Sequence, residues 1–300
     1  MKKLIVIAGP TAVGKTDFAI NLAQKLETEI ISCDSRQIFK EIKIGTARPS
    51  DEELKKVKHH FIASHSIFDY YNASMYEVEA LKLTEKLFSK YDNLILAGGS
   101  GLYINALLFG IDDLPTIDPN LRHELQIKFE TEGIESIRLM LKSLDPAYYK
   151  KVDLKNHKRI LKALEVSIQT GKPYSSFLTG QKKKRNFEYQ IIVLNRDRQI
   201  LHQRINQRVD IMIDNGLLEE AKSLFQYRYL SPLKTVGYRE LFDYFDGKTD
   251  LKTAIDLIKR NTRRYARKQI TWFKKYQNAF FLNLDGDISI DDDLMEKLNL

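Results

Sequence analysis

The sequence predicts an α/β protein, a parallel sheet flanked by helices and carrying an inserted helical domain. Three observations carry that expectation. Short apolar runs at 4–8, 29–33 and 94–97 alternate with helical spacing and end at Gly or Asp, as strands buried on both faces do. A Gly-rich turn joins the first run directly to the first helix. Between about 115 and 181, helical patterns follow one another without an equally clear central strand.

Residues 4–8 read as a buried strand and 15–26 as a helix with Phe18, Ala19, Leu22, Ala23 and Leu26 on its packing face. The run 29–33 is a second strand ending at Asp34. A third, 94–97, ends at Gly98-Gly99 after a helix over about 75–90. Helices are expected over 121–131, 134–142 and 157–170, punctuated by Asp145-Pro146 and Gly171-Lys172-Pro173. A strand pattern resumes at 189–194. Residues 198–212 and 217–225 then read as helices, and 251–276 as a long basic helix with Ile255, Ile258, Tyr265, Ile270 and Phe273 as packing residues. The expected domains are a core made of 1–115 and 186–300 and a helical insertion at 116–185.

Forty-eight Lys and Arg against forty Asp and Glu give the 300 residues a formal charge of +8, which favours an anionic partner without specifying nucleic acid over a phosphorylated metabolite. The composition excludes a fibrous or wholly disordered chain. One Cys excludes an intrachain disulfide and a Cys-rich zinc site. The run 4–8 stops at Gly9, too short for a secretory core or a membrane span, so a cytoplasmic location with no membrane partner is expected.

Gly9-Pro10-Thr11-Ala12-Val13-Gly14-Lys15-Thr16 has the full G-x-x-x-x-G-K-[ST] spacing between a strand and a helix. Amides of such a loop cradle phosphate, Lys15 neutralises its oxygens and Thr16 can hold Mg²⁺, so the sheet is expected to be P-loop NTPase-like. The motif is specific for phosphate and silent on what is transferred. Asp34-Ser35-Arg36-Gln37 follows the second strand, and Asp34 could coordinate Mg²⁺, cap the next turn or accept a proton from a nucleophile. Gly45-Thr46-Ala47-Arg48-Pro49 supplies a turn and a positive side chain. In Gly98-Gly99-Ser100-Gly101 the glycines allow backbone to approach a ligand and the Ser100 hydroxyl can orient an oxygen or amine. Arg263 and Arg267 share a helical face, where a common anion would reconcile their like charges, and Arg204 and Arg208 repeat that spacing. Trp272 reads as a packing anchor. Adjacent His59 and His60 do not make a metal pair, the run Lys182-Lys183-Lys184-Arg185 is either an exposed hinge or a phosphate-backbone contact, and Asp291-Asp292-Asp293 reads as a solvated terminus.

In this order, the motifs at 9–16, 34–37, 45–49, 98–103, 159–166, 237–240 and 262–273 resemble the tRNA dimethylallyltransferase (tRNA isopentenyltransferase) family, over almost the whole chain. The resemblance implies transfer of a dimethylallyl group from dimethylallyl diphosphate to N6 of adenine 37 beside the tRNA anticodon, with diphosphate released and A36-A37-A38 as the preferred target. The loop ordinarily read as an ATP site then holds the prenyl diphosphate with Mg²⁺. It implies Asp34 as general base and Ser100 as the assisting hydroxyl. Gly9, Thr11, Ala12, Gly14, Lys15, Thr16, Lys234 and Arg239 become diphosphate contacts, with Thr16 on the metal. Ser35, Arg36, Gln37, Lys158, Arg159, Lys162, Lys182, Lys183, Lys184, Arg185, Arg263 and Arg267 become tRNA contacts, and the insertion embraces the anticodon stem-loop. Ser100 stands where Thr is common, Lys234 where some relatives have Arg, and Phe39 where Tyr is common. A compact, monomeric, bacterial-type enzyme is expected. The competing readings are a small-molecule kinase with ATP in the loop, which leaves the basic insertion without a job, and a nucleotide-dependent RNA-binding switch.

Overall fold

The computed structural model describes residues 2–285 and 290–298. In chain order its first elements are β1 (Lys3–Ala8), α1 (Lys15–Lys25), β2 (Ile30–Ser32), α2 (Asp51–Lys56), β3 (His59–His60), α3 (Ala73–Phe88), β4 (Asn93–Gly98) and α4 (Gly101–Phe109). Then come α5 (Pro119–Leu144), α6 (Pro146–Tyr149), α7 (His157–Thr170), β5 (Glu188–Asn195), α8 (Arg198–Asp214) and α9 (Leu217–Ser223). The chain continues through α10 (Tyr238–Phe245), α11 (Leu251–Phe273), β6 (Phe280–Asn283) and α12 (Asp292–Lys297).

All six strands are parallel, in the order β3-β2-β4-β1-β5-β6. Strand β1 lies between β4 and β5, with Ala8 beside Gly98 and Val193, so its carboxyl end opens at the centre of the sheet. Leu4 to Ala8 are all fully buried, the physical reason that this strand is a continuous apolar run rather than an alternating one. Ile5 and Ile7 share a core with Phe18 and Leu22 of α1 and with Leu201 and Ile205 of α8. Truncating Leu22 to Ala there should cost about 2–5 kcal/mol.

The expected strands and long helices are present, and several further elements join them. Strand β3 is two half-buried polar residues at a sheet edge, with His60 on the Glu29 carboxylate. Helix α4 is apolar almost all round, with Tyr103, Ile104, Ala106, Leu107 and Leu108 buried, so it lacks the one-sided spacing of a surface helix. The acidic tail is not simply a solvated terminus: the Asp291 side chain caps α12 by accepting from the Leu294 N–H, and Leu294, Met295 and Leu298 enter the sheet core.

The chain divides into two compact units, Gly110–Lys183 and the rest, a boundary six residues earlier and two residues earlier than the expected insertion at 116–185. The end of α4 and the anchoring of Arg185 explain the shift. Arg185 donates to the carbonyls of Leu107 and Ala106 and pairs with Glu77 at 2.8 Å, which makes it part of the sheet unit. The helical unit has its own core, where Ile137 and Leu141 of α5 meet Ile160 and Leu164 of α7. Within α5 the backbone breaks at Gly133 (φ +80°), between the two helices expected from spacing. Among the described residues no helix is long and apolar enough to cross a membrane.

Candidate functional site

The loop after β1 turns through left-handed backbone at Ala12 (φ +64°) and Gly14 (φ +110°), and Gly14 starts α1 in a conformation that L side chains rarely adopt. The turn aims the first amides of α1 into a cavity of about 1300 Å³. Lys15 Nζ folds back to donate to the carbonyls of Gly9 (3.0 Å) and Pro10 (2.8 Å). Desolvation first, and the neighbouring Arg208 second, push its ammonium down to about 8. A half-buried cation with that history favours an arriving anion. Thr16 lines the same cavity, and its hydroxyl makes no hydrogen bond among the described residues. From α8, Arg204 donates to the Ala12 carbonyl at 2.8 Å and Arg208 reaches the Thr11 hydroxyl, so the repeated arginine spacing braces the loop.

The ends of β2 and β4 deliver the second set of groups. Asp34 Oδ1 accepts from the N–H groups of Arg36 (2.8 Å) and Gln37 (3.2 Å), closing a tight turn, while Oδ2 makes no hydrogen bond among the described residues. Of the three roles open to Asp34, capping is therefore realised by one oxygen and proton acceptance remains open to the other. Ser100 Oγ accepts from the Ser35 N–H at 2.9 Å and donates to the Ser35 hydroxyl at 3.1 Å, which ties the two strand ends together. Gln37 donates to the carbonyls of Thr46 (3.1 Å) and Ala47 (2.9 Å), fixing the 45–49 turn as another wall.

Three positioning residues were given no role by the sequence reading, although Glu240 and Gln269 lie within its motifs 237–240 and 262–273. Gln269 of α11, almost fully buried, accepts from the Thr11 N–H and donates to the Gly99 carbonyl, both at 2.9 Å, so one amide spans the phosphate loop and the β4 turn. The Glu220 carboxylate accepts from the N–H groups of Lys43, Ile44 and Gly45 at 2.8–2.9 Å and from the buried Tyr238 hydroxyl at 2.6 Å. Glu240 holds Gly237 N–H at 2.9 Å and Asn261 at 2.8 Å, fixing another turn of the cavity wall. The turns held by Gln269 and Glu220 lie far away in sequence, whereas Glu240 caps its own helix at Gly237.

Other expected site residues fall elsewhere. Lys234 and Arg239 are exposed and flank the turn Thr235-Val236-Gly237 that lines the cavity, but their side chains are not among its lining. Arg263 bonds the Asn206 side chain, and with Arg267 and Arg198 it depresses the neighbouring His202 after burial has done so. Arg36 lines the cavity, where its charge opposes the upward push of burial on the Tyr265 phenol, raised to about 12. In the helical unit Lys158 and Arg159 are exposed, Lys162 lies 3.8 Å from Glu165 and Lys183 pairs with Asp113. Lys182 and Lys184 are exposed, whereas Arg185 corrects the expectation of an exposed basic run: it is buried in its pair with Glu77 and turned away from solvent. Among the described residues no group of three His, Cys, Asp or Glu is placed to hold a metal ion.

The arrangement defines an α/β protein of the phosphate-loop type, with the loop after β1 and the ends of β2 and β4 lining one cavity. A family model described as IPP transferase matches residues 37–276, and the chain belongs to that family. It is 56% identical over 285 residues to tRNA dimethylallyltransferase 2 of Azobacteroides pseudotrichonymphae, covering 94% of this chain and 93% of that protein. It is 52% identical to the tRNA dimethylallyltransferase of Flavobacterium johnsoniae, covering 96% and 95%. Among solved structures it resembles the full-length tRNA isopentenylpyrophosphate transferase of Bacillus halodurans (34% identity, TM-score 0.71), covering 100% of this chain and 95% of that one. A eukaryotic dimethylallyltransferase solved acting on tRNA gives a TM-score of 0.81 at 27% identity, covering 99% and 76%.

Proposed function

We propose that this protein transfers the dimethylallyl group of dimethylallyl diphosphate to N6 of adenine 37 in tRNA carrying A36-A37-A38, releasing diphosphate. The observation that carries the reading is convergence: Lys15, Thr16 and the free oxygen of Asp34 share one cavity whose two glycine turns are held in register by Gln269. The N6 lone pair is delocalised and weakly nucleophilic, so the reaction depends on removing its proton and on neutralising the leaving group. As N6 bonds to C1 of the dimethylallyl group, the C1–O bond breaks and Asp34 accepts the N6 proton. Loop amides and Lys15 take up the charge growing on the diphosphate. Ser100, bound to Ser35 beside Asp34, keeps the base and the acceptor edge aligned. The adenine reaches the cavity unstacked, at a cost of a few kcal/mol.

Mg²⁺ would be held at the Thr16 hydroxyl, which makes no hydrogen bond among the described residues, while the free Asp34 oxygen stays available to the N6 proton. When bound, the ion would neutralise diphosphate charge. Exposed Lys158, Arg159, Lys182 and Lys184 are the tRNA-backbone contacts of this reading. The test is incubation with Mg²⁺, labelled dimethylallyl diphosphate and unmodified tRNA, followed by nuclease digestion and mass spectrometry. Label on N6 of adenine 37 is the expected outcome. No transfer to competent tRNA by folded enzyme, with phosphate transfer from ATP instead, would replace this reading by the kinase.

A further inference from the structure

The large cavity has a side chamber of about 370 Å³, which it meets at Arg48, His59 and Ile62. The chamber is strongly basic: Arg48, Lys55 and Lys58 line it, along with His59. Arg48 is the inner residue of the set. Among the described residues its Nε is buried with no hydrogen-bond partner, and its guanidinium makes one long contact, Nη1 to the Lys40 carbonyl at 3.4 Å. A buried guanidinium N–H left unpaired is costly unless something else accepts from it. Ala47, next to Arg48, and Ala63, in the chamber wall, both adopt left-handed φ of +48°.

His59 adds a second recognition element. Its Nδ1 lies 2.8 Å from the Val57 carbonyl, which can only accept, so Nδ1 carries the proton. Burial lowers the ring's affinity for a second proton, with His60 adding to that and Glu53 opposing it. The neutral ring therefore keeps Nε2 as an acceptor, in a chamber that His59 and Arg48 line together. A donor of hydrogen bonds next to an acceptor of them matches one short stretch of ribonucleotide, a phosphodiester beside a ribose 2′-hydroxyl.

We propose that this chamber seats a backbone phosphate of the acceptor RNA, bound by Arg48 and adjoining the base held in the main cavity, with His59 Nε2 accepting from the neighbouring 2′-hydroxyl. This rests on the prenyl-transfer reading, under which the phosphate loop is already filled by the donor diphosphate and the chamber serves the other reactant. The charges of Lys55 and Lys58 reinforce the site, although Lys58 also lies 3.4 Å from Glu29.

The test measures tRNA binding without donor, across a salt series, for wild type, R48Q and R48K. R48Q should weaken binding about 5- to 10-fold and reduce the salt slope by about one counterion, with R48K keeping the slope and recovering part of the affinity. Replacing the phosphates flanking adenine 37 with neutral methylphosphonates, one at a time, should weaken wild type at one position and leave R48Q indifferent there. Calorimetry should give all three proteins the same affinity for dimethylallyl diphosphate and a cooperative unfolding transition. Wild-type affinity in R48Q, or a loss confined to the donor, overturns the chamber assignment while wild-type transfer still stands. Absence of both transfer and tRNA binding in wild type removes the parent reading and the chamber with it.

Discussion

Asp34 divides its work between two oxygens, and that division shapes the variant that tests it. Oδ1 holds the turn through two N–H groups, so D34A would remove both the cap and the base. D34N keeps an acceptor for the turn and removes only proton acceptance. It should bind dimethylallyl diphosphate within about twofold of wild type and slow single-turnover transfer by about 10²- to 10⁴-fold. Equal single-turnover rates would exclude Asp34 as the base. Lys15 makes a second prediction through its ammonium, which is held at about 8, below its ordinary 10.5. Without donor, the unfolded chain binds more protons between those values, so the penalty of burying this cation is full below about pH 8 and fades as pH rises to 10.5. Donor binding runs the other way. Diphosphate favours the charged ammonium, so affinity should fall as pH rises through about 8, by up to about tenfold per unit, and K15R should flatten the profile because a guanidinium stays charged. Calorimetric titrations from pH 7 to 10 read both.

Helix α11 organises the site from behind. Gln269 joins the two glycine turns, and one turn further on Trp272 lies so close to Gly101 that an added Cβ would come within 2.1–2.6 Å of its indole ring. Q269L should leave the Thr11 N–H and the Gly99 carbonyl unpaired, at about 1–3 kcal/mol, and lower turnover because the two turns lose their register. G101A should cost about 1–3 kcal/mol by overpacking. Trp272 is the only tryptophan in the chain, so that displacement should shift the intrinsic emission of the folded protein, and an unchanged spectrum with an unchanged unfolding midpoint would contradict the packing. At this scale the sequence was legible where burial imposes a pattern. Residues 4–8 and 94–97 read as strands because both faces are covered, and 157–170 read correctly as a helix because one face of α7 is buried. Strand β3 was hidden because a two-residue polar edge carries no pattern, and α4 because its apolar residues surround it. The phosphate loop was legible for a different reason, its local spacing, and Asp34 stood out only through its place at the end of a predicted strand. Gln269 and Glu220 hold backbone turns 170 or more residues away, and no local window contains that information.

The chain has a sheet unit that carries the phosphate-loop cavity and a helical unit with an independent core and two exposed cations at the start of α7. A formal charge of +8 is enough to draw the chain towards a polyanion, but it does not say where the polyanion lies. The proposed reading puts part of that interaction on Lys158 and Arg159 of the helical unit, where both are exposed and neither belongs to its core. The nearby Lys162 differs, because it lies against Glu165, which also receives Arg122 at 3.1 Å. Replacing Lys158 and Arg159 together by Ala should leave the unfolding midpoint and the donor affinity unchanged. It should weaken tRNA binding at low salt and reduce the dependence of log affinity on log salt by about 1.5 to 2, the share of two backbone contacts. As salt rises, the variant and wild type should converge, because the lost energy is largely that of counterion release. A loss of affinity that stays constant across the salt series would mean that these residues shape α7 rather than meet phosphate, and parallel curves of equal height would place the tRNA elsewhere.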